Sequence, residues 1–201
     1  FAADAGPAFV AKVLAPHRAG LPAIVVHCTM RTVRDFQPND FREFLGVTST
    51  HHGPQHPLDV KVTDPSHQIM KGFPADWKTG DEELYAIDKV WPTATVLATA
   101  ADKKKDAAGR WVDTPKQNAL IWVNTYGQGR VFYTTLAHAN KTFEDPVFLD
   151  LFTRGLLWAC DKLDENAAAL RTHLAAIEEI AEVLINAIEE TEWDGTYRLN
   201  A

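Results

Sequence analysis

Cysteine is scarce in this chain. Cys28 and Cys160 are the only two in 201 residues, they lie far apart, and neither sits in a CxxC or other metal-ligand spacing. That excludes a disulfide framework and a zinc knuckle, and it leaves the redox compartment open. Basic charge is short as well: 20 Lys and Arg stand against 27 Asp and Glu, for a formal net charge of -7. A nucleic-acid groove or an anionic membrane surface needs a basic patch, so neither partner is expected. The dense basic run Lys103, Lys104 and Lys105 is flanked by Asp102 and Asp106 and reads as a solvated loop tip. No apolar run approaches the ~20 residues that cross a bilayer, and the N-terminus has neither half of a signal peptide. The expectation is a soluble chain of undetermined compartment. Because Phe1-Ala2-Ala3-Asp4 leads almost at once into a helix, whereas an α/β domain normally opens on a strand, an N-terminal part with any targeting signal is read as lying outside this sequence.

What is present suits a buried core: 46% of residues are hydrophobic and 10% aromatic, enough for one domain or one domain with an appendage. Pro7 suits a first helical turn, Phe9, Val10, Val13 and Leu14 form an apolar stripe, and Pro16 with Gly20 ends it. Leu21 to Val26 follows as a continuously apolar strand, so this segment reads as the αβ half of a crossover unit. Asp40 to Leu45 is a short helix stopped by Gly46. Leu58, Val60 and Val62 alternate with polar residues as a half-exposed strand does.

Leu84 to Ile87 and Thr95 to Ala100 are further strands, with Asp102 to Gly109 as a surface loop. Ala119 to Tyr126 and Arg130 to Leu136 flank Gly127-Gln128-Gly129, a hairpin connection. Asp145-Pro146 caps and opens an amphipathic helix to about Cys160. Beyond Asp164, Leu170, Leu174, Ile177, Ala181, Leu184 and Ile188 recur at spacings of four and three, with glutamates on the other faces. This heptad-like tail, residues 164–201, reads as a helix that packs on the chain's own domain or a partner, with a homo-oligomeric coil as the alternative.

The stretch Tyr126-Gly127-Gln128-Gly129-Arg130-Val131-Phe132-Tyr133-Thr134-Thr135-Leu136-Ala137-His138 resembles a segment of the ThuA-like (trehalose utilisation) family. Asp145-Pro146 and Arg154-Gly155-Leu156-Leu157-Trp158-Ala159 are similar to that family's closing helix. Val25-Val26-His27, Asp64-Pro65-Ser66-His67, Gly72-Phe73-Pro74 and Glu82-Glu83-Leu84-Tyr85 match further segments in order, so the resemblance covers residues 1–163. Gln68 stands in place of the family's proline, Ala137 of its glycine and Glu82 of its aspartate, and the family's first strand, with the helix and strand after it, has no counterpart. The resemblance implies an α/β fold like that of class I glutamine amidotransferases: a flavodoxin-like, doubly wound, mostly parallel open sheet. It also implies a part in the use of trehalose or a related or oxidised sugar.

Ligands of open α/β sheets bind beyond the carboxyl ends of the strands, where His27 and His138 fall. Each could be acid, base or metal ligand, or a histidine merely hydrogen-bonded into its loop. Glu83 and Tyr85, two apart on a strand, face one way and could orient sugar hydroxyls or move a proton; the plain alternative is an exposed rung of an edge strand. The catalytic set expected is therefore His27, His138 and Glu83. His51, His52 and His56 crowd a loop with Gly53 and Pro54; His52, with Tyr85 and Arg130, is expected to contact substrate, although Arg130 could equally pair with a local carboxylate. A divalent metal on His27, His52 and His138 would leave an open fourth position. Cys28 lacks the glycine elbow of a glutaminase nucleophile, so amidotransferase chemistry is not expected, and His67 reads as a turn cap. Two classes stay open: a hydrolase-type or acid/base enzyme on a small carbohydrate, and a noncatalytic sugar-binding or regulatory module.

Overall fold

The computed structural model describes residues 6–32 and 39–163; the heptad-like tail lies outside the described residues. Residues up to Asp161 form one compact unit, and the chain from Lys162 belongs to a second. The first unit runs α1 (Pro7–Arg18), β1 (Ala23–Val26), α2 (Asn39–Leu45), β2 (Val47–Asp59), β3 (Lys61–Val62), β4 (Lys78–Val90), β5 (Ala94–Lys105), β6 (Trp111–Tyr126), β7 (Gly129–Thr134) and α3 (Pro146–Ala159). Among the described residues no helix is long and apolar enough to cross a membrane.

Five strands form a sheet in the order β1-β7-β6-β5-β3, and β2 and β4 form a separate ribbon. The expected mostly parallel sheet is not what forms. Only β1 and β7 pair in parallel, Ala23 opposite Val131 through Val26 opposite Thr134. The remaining pairings among the described strands are antiparallel. For β5–β6 and β6–β7 the cause is connection length, since a parallel pair needs a crossover of about a dozen residues or more. Tyr126 and Gly129 pair across a tight turn in which Gly127 takes φ 59, and Lys105 and Trp111 pair across the Asp106–Arg110 turn. Links this short join only antiparallel neighbours.

Three local expectations change for related reasons. Lys103 and Lys104 are not a loop tip but rungs of β5, opposite Asp113 and Val112; Lys103 Nζ lies 3.4 Å from Asp113 Oδ1, a partner that the local run of like charge does not reveal. His51, His52 and His56 lie in strand β2 rather than a loop. Gly53, Pro54 and Pro57 are tolerated because the β2–β4 ladder is irregular, shifting register between His52 and Gln55 and again between Pro57 and Asp59. α1 continues through Pro16 to Arg18 instead of stopping at the proline.

Helices cover both faces of β7. Phe132 and Tyr133 are both 0% exposed, and alternation along the strand sends them to opposite sides. Tyr133 stacks on Trp122, ring centroids 4.3 Å apart, within a core that includes Val10 and Leu14 of α1 and Phe44 and Leu45 of α2. Phe132 lies under α3 at Gly155, where any Cβ would collide with its ring. Asp145 caps α3, its Oδ1 accepting from the backbone N–H of Val147 at 2.8 Å. Because β1 and β7 are parallel, their carboxyl ends emerge side by side, and the ribbon β2–β4 packs close to the turn after β1 and to β6.

Candidate functional site

The parallel pair brings the two histidines together. His27 begins a 3-10 turn right after β1, and its backbone adopts φ 48. His138 follows Ala137, which adopts φ 82. Both lie in the left-handed region, which costs a residue bearing a Cβ roughly 1–2 kcal/mol and recurs where side chains must be aimed against local preference. Tertiary hydrogen bonds hold the two turns. The buried Tyr133 hydroxyl donates to the carbonyl of His27 at 2.8 Å and accepts from the backbone N–H of Met30 at 2.8 Å. Glu82, 1% exposed, accepts from the N–H of Ala137 at 3.1 Å, from the N–H of His138 at 3.0 Å and from the Thr142 hydroxyl.

Glu83 stands at the centre. Its Oε2 is 3.6 Å from His27 Nε2 and 3.5 Å from His52 Nδ1, and its Oε1 is 3.4 Å from His138 Nδ1. His27 Nε2 and His138 Nδ1 are 3.2 Å apart. The Tyr85 hydroxyl donates to Glu83 Oε2 at 3.3 Å. Burial, and then the charge of Glu83, raises the Tyr85 phenol well above its ordinary range, so it stays a protonated donor. The remote atoms are held too: His27 Nδ1 donates to the carbonyl of Thr135 at 3.1 Å, and His138 Nε2 meets Gln55 Nε2 at 2.7 Å. The Glu83 side chain is 11% exposed, that of His27 14%, and those of His138 and His52 30% and 32%, a gradient from an enclosed carboxylate to a wet rim.

His27, His138, Glu83, His52 and Tyr85 thus lie together. Glu83 arrives differently from the expectation, from the antiparallel β2–β4 ribbon rather than a neighbouring parallel strand; Gln55 stands opposite it and His52 opposite Tyr85. Arg130 does not join them. It heads β7 at the opposite end, forms an ion pair with Asp161 and lies 4.0 Å over the Trp158 ring. Local carboxylate pairing accounts for it. The metal-ligating set differs as well: among the described residues His27, Glu83 and His138 bring ligand atoms within 4.8 Å of one another, whereas His52 is outside that group and directs Nδ1 to the carbonyl of Gly53 at 2.9 Å. His67 is a cap, its Nδ1 accepting from the N–H of Ile69, and burial lowers its imidazole below the usual range. Cys28 packs against the core.

Sequence reasoning missed Gln55, Glu82 and Thr142. The doubled Glu82-Glu83 was the available signal, because two adjacent carboxylates that open the apolar run of residues 84–87 must both find partners if they are buried with it. Of the tryptophans, Trp77 donates to Asp145 Oδ2 at 3.1 Å and lines a hollow with Pro57, Lys141 and Asp145; this hollow includes Ala139 and Thr142 of the loop that carries His138. Trp91 and Trp111 lie beneath Lys89 and Lys105 instead.

Among curated proteins none matches the chain. Solved structures similar to it include a ThuA-like protein from Parabacteroides merdae ATCC 43184, at 22% identity and a TM-score of 0.59, covering 76% of this chain and 65% of that one. A ThuA-like protein from Bacteroides uniformis ATCC 8492 is similar at 19% identity and a TM-score of 0.64, covering 77% of this chain and 64% of that one. At these identities the likeness concerns the fold, and the chain spans less than two thirds of the length of either protein. The family model described as trehalose utilisation matches residues 8–159, well over half of the sequence, and the chain therefore belongs to the ThuA family.

Proposed function

We propose that the cluster around Glu83 binds a small sugar, trehalose or a related or oxidised disaccharide, and converts it by acid/base chemistry. The observation that carries this reading is one mostly buried carboxylate shared by three imidazoles and a phenol at a solvent-reaching rim. A carbonyl oxygen can only accept, so a neutral His27 bonded to Thr135 carries its proton on Nδ1 and leaves Nε2 free to take one from a sugar hydroxyl. Glu83 stabilises the imidazolium so formed, at His27 or at His138. Tyr85 keeps the carboxylate oriented, and His52 supplies a donor or acceptor at the rim. The hollow beside Trp77 offers a half-buried aromatic edge and Lys141 to a second sugar ring. In this reading the fold is a variant of the flavodoxin-like doubly wound sheet, supported by the parallel β1–β7 pair and by helices on both faces, with chemistry at the carboxyl ends of those strands.

Calorimetric titration with trehalose and its oxidised derivatives, paired with NMR of the sugar after incubation, tests the proposal. Saturable binding and conversion are expected, with conversion lost in Glu83→Gln and His27→Gln. Binding without conversion would instead establish a noncatalytic sugar-binding module, and absence of binding by every sugar tried would overturn both.

A further inference from the structure

We infer that His27, Glu83 and His138 form a three-ligand site for a divalent transition ion of the zinc class. The inference concerns the same cluster as the sugar reading but rests on ligand geometry alone, so either can fail without the other; with the ion bound, the His27 Nε2 lone pair is taken, and the open coordination position rather than that nitrogen would meet the sugar.

Three observations support it. The first is spacing. In a tetrahedral site with metal–ligand bonds of about 2.1 Å, neighbouring ligand atoms stand about 3.4 Å apart. The separations are 3.2 Å between His27 Nε2 and His138 Nδ1, 3.6 Å between His27 Nε2 and Glu83 Oε2, and 3.4 Å between His138 Nδ1 and Glu83 Oε1. The two histidines face different oxygens of Glu83, and with one ligand atom per residue the three lie within 4.8 Å of one another, so binding requires the carboxylate to turn and present one oxygen or both oxygens to share the ion.

The second observation is electronic. The Thr135 carbonyl fixes the proton of neutral His27 on Nδ1, which turns the Nε2 lone pair toward the cluster. Gln55 stands at His138 Nε2; with its amide oxygen turned to accept from Nε2–H, His138 presents the Nδ1 lone pair. Two imidazole lone pairs and a carboxylate then converge on one point, an arrangement that a divalent cation satisfies.

The third is support. Each ligand has an outer partner: Thr135 at the far nitrogen of His27, Gln55 at the far nitrogen of His138, and Tyr85 at Oε2 of Glu83, the oxygen that also faces His27. Such outer partners orient ligands in metal sites, and their loss typically lowers affinity by about 10–100-fold. The ligand types discriminate among ions. Two imidazoles with one carboxylate and no thiolate suit zinc and its borderline neighbours better than magnesium or calcium, which prefer all-oxygen shells. Three protein ligands also leave one position open, the composition of zinc sites that act on substrates rather than only on folds.

The test uses the full chain, stripped with EDTA, dialysed and titrated with Zn(II) against a chromophoric chelator and with Co(II) under visible absorption. One equivalent of Zn(II) should bind, and Co(II) should give the intense visible bands of a four- or five-coordinate ion. His27→Ala, His138→Ala and the near-isosteric Glu83→Gln should each weaken binding by more than about 100-fold, and Gln55→Ala by about 10–100-fold. His51→Ala should leave it unchanged. Far-UV circular dichroism checks that each variant is folded; if an alanine variant is not, Glu83→Gln and Gln55→Ala carry the test. No stoichiometric binding, or binding indifferent to Glu83→Gln and Gln55→Ala, would overturn the proposal. Sugar titrations of the stripped and loaded protein separate the two ideas: sugar binding by a protein that takes no metal refutes the site and leaves the sugar reading standing, and metal binding without sugar binding does the reverse.

Discussion

The two ends of β7 are built from similar materials and do opposite things. At its start, Arg130 is a cation whose partners are all structural: Asp161 neutralises it and Trp158 stacks beneath it. Just past its end, His138 faces His27 and Glu83, groups that interact with one another while keeping access to solvent. Both ends carry charge beside an aromatic ring. What separates them is whether the polar groups are used up by the fold or held against one another with capacity left over. The backbone reflects the same division, since the start of β7 follows an ordinary glycine turn while its end places Ala137 at φ 82 and neighbouring β1 leads into His27 at φ 48.

The strongest way to break the comparison is Glu82→Ala. Three donors would lose a buried carboxylate, each a charge-assisted hydrogen bond worth about 1.5–3 kcal/mol, with part of the loss recovered by water entering the gap. A net destabilisation of about 2–4 kcal/mol by urea denaturation is expected, together with weakened ligand binding because His138 is no longer aimed; full stability would show that the His138 turn holds itself.

At the other end, Arg130→Ala should cost only about 1 kcal/mol. The ion pair opens to solvent through Asp161, 87% exposed against 30% for Arg130, and such surface pairs contribute about 0–1 kcal/mol, while the stacked ring adds a comparable amount. Sugar and metal titrations of this variant should match the parent. A specific loss of sugar affinity at unchanged stability would return Arg130 to the site.

The smallest effect is expected from Ala137→Gly. Relief of the left-handed backbone, about 1–2 kcal/mol, is partly offset by the added freedom of glycine in the unfolded chain, so a gain of at most about 1 kcal/mol should appear in thermal unfolding. A loss of stability would mean that the Ala137 methyl packs well enough to outweigh its strain.

How much of this could be read in advance differs by residue. His27 and His138 were legible because the first directly follows an apolar strand and the second comes within a few residues of one, and strand ends in a layered α/β fold are where polar side chains surface. Glu83 and Tyr85 were legible as a same-face pair from the period of two. Their delivery was not legible: a ribbon interrupted by prolines and register shifts has no clear periodicity, so the stretch of β2 from His51 to His56 read as a loop and Gln55 went unnoticed. The role of Arg130 was likewise out of reach, because Asp161 is 31 residues away and nothing local distinguishes a ligand-binding arginine from one neutralised on folding.

The sequence by itself determined the apolar strands, the glycine turn that makes β6 and β7 antiparallel, the Asp145 cap of α3 and the membership of residues 8–159 in the ThuA family. Each of these rests on interactions within a few residues or on a pattern along the chain. Tertiary structure alone decided that β1 joins the sheet parallel to β7, that the β2–β4 ribbon lies where Glu83 meets both histidines, and that Arg130 does not take part. Those outcomes depend on contacts across 31 to 111 residues, where burial of one group fixes the partners of another and no local pattern records the choice.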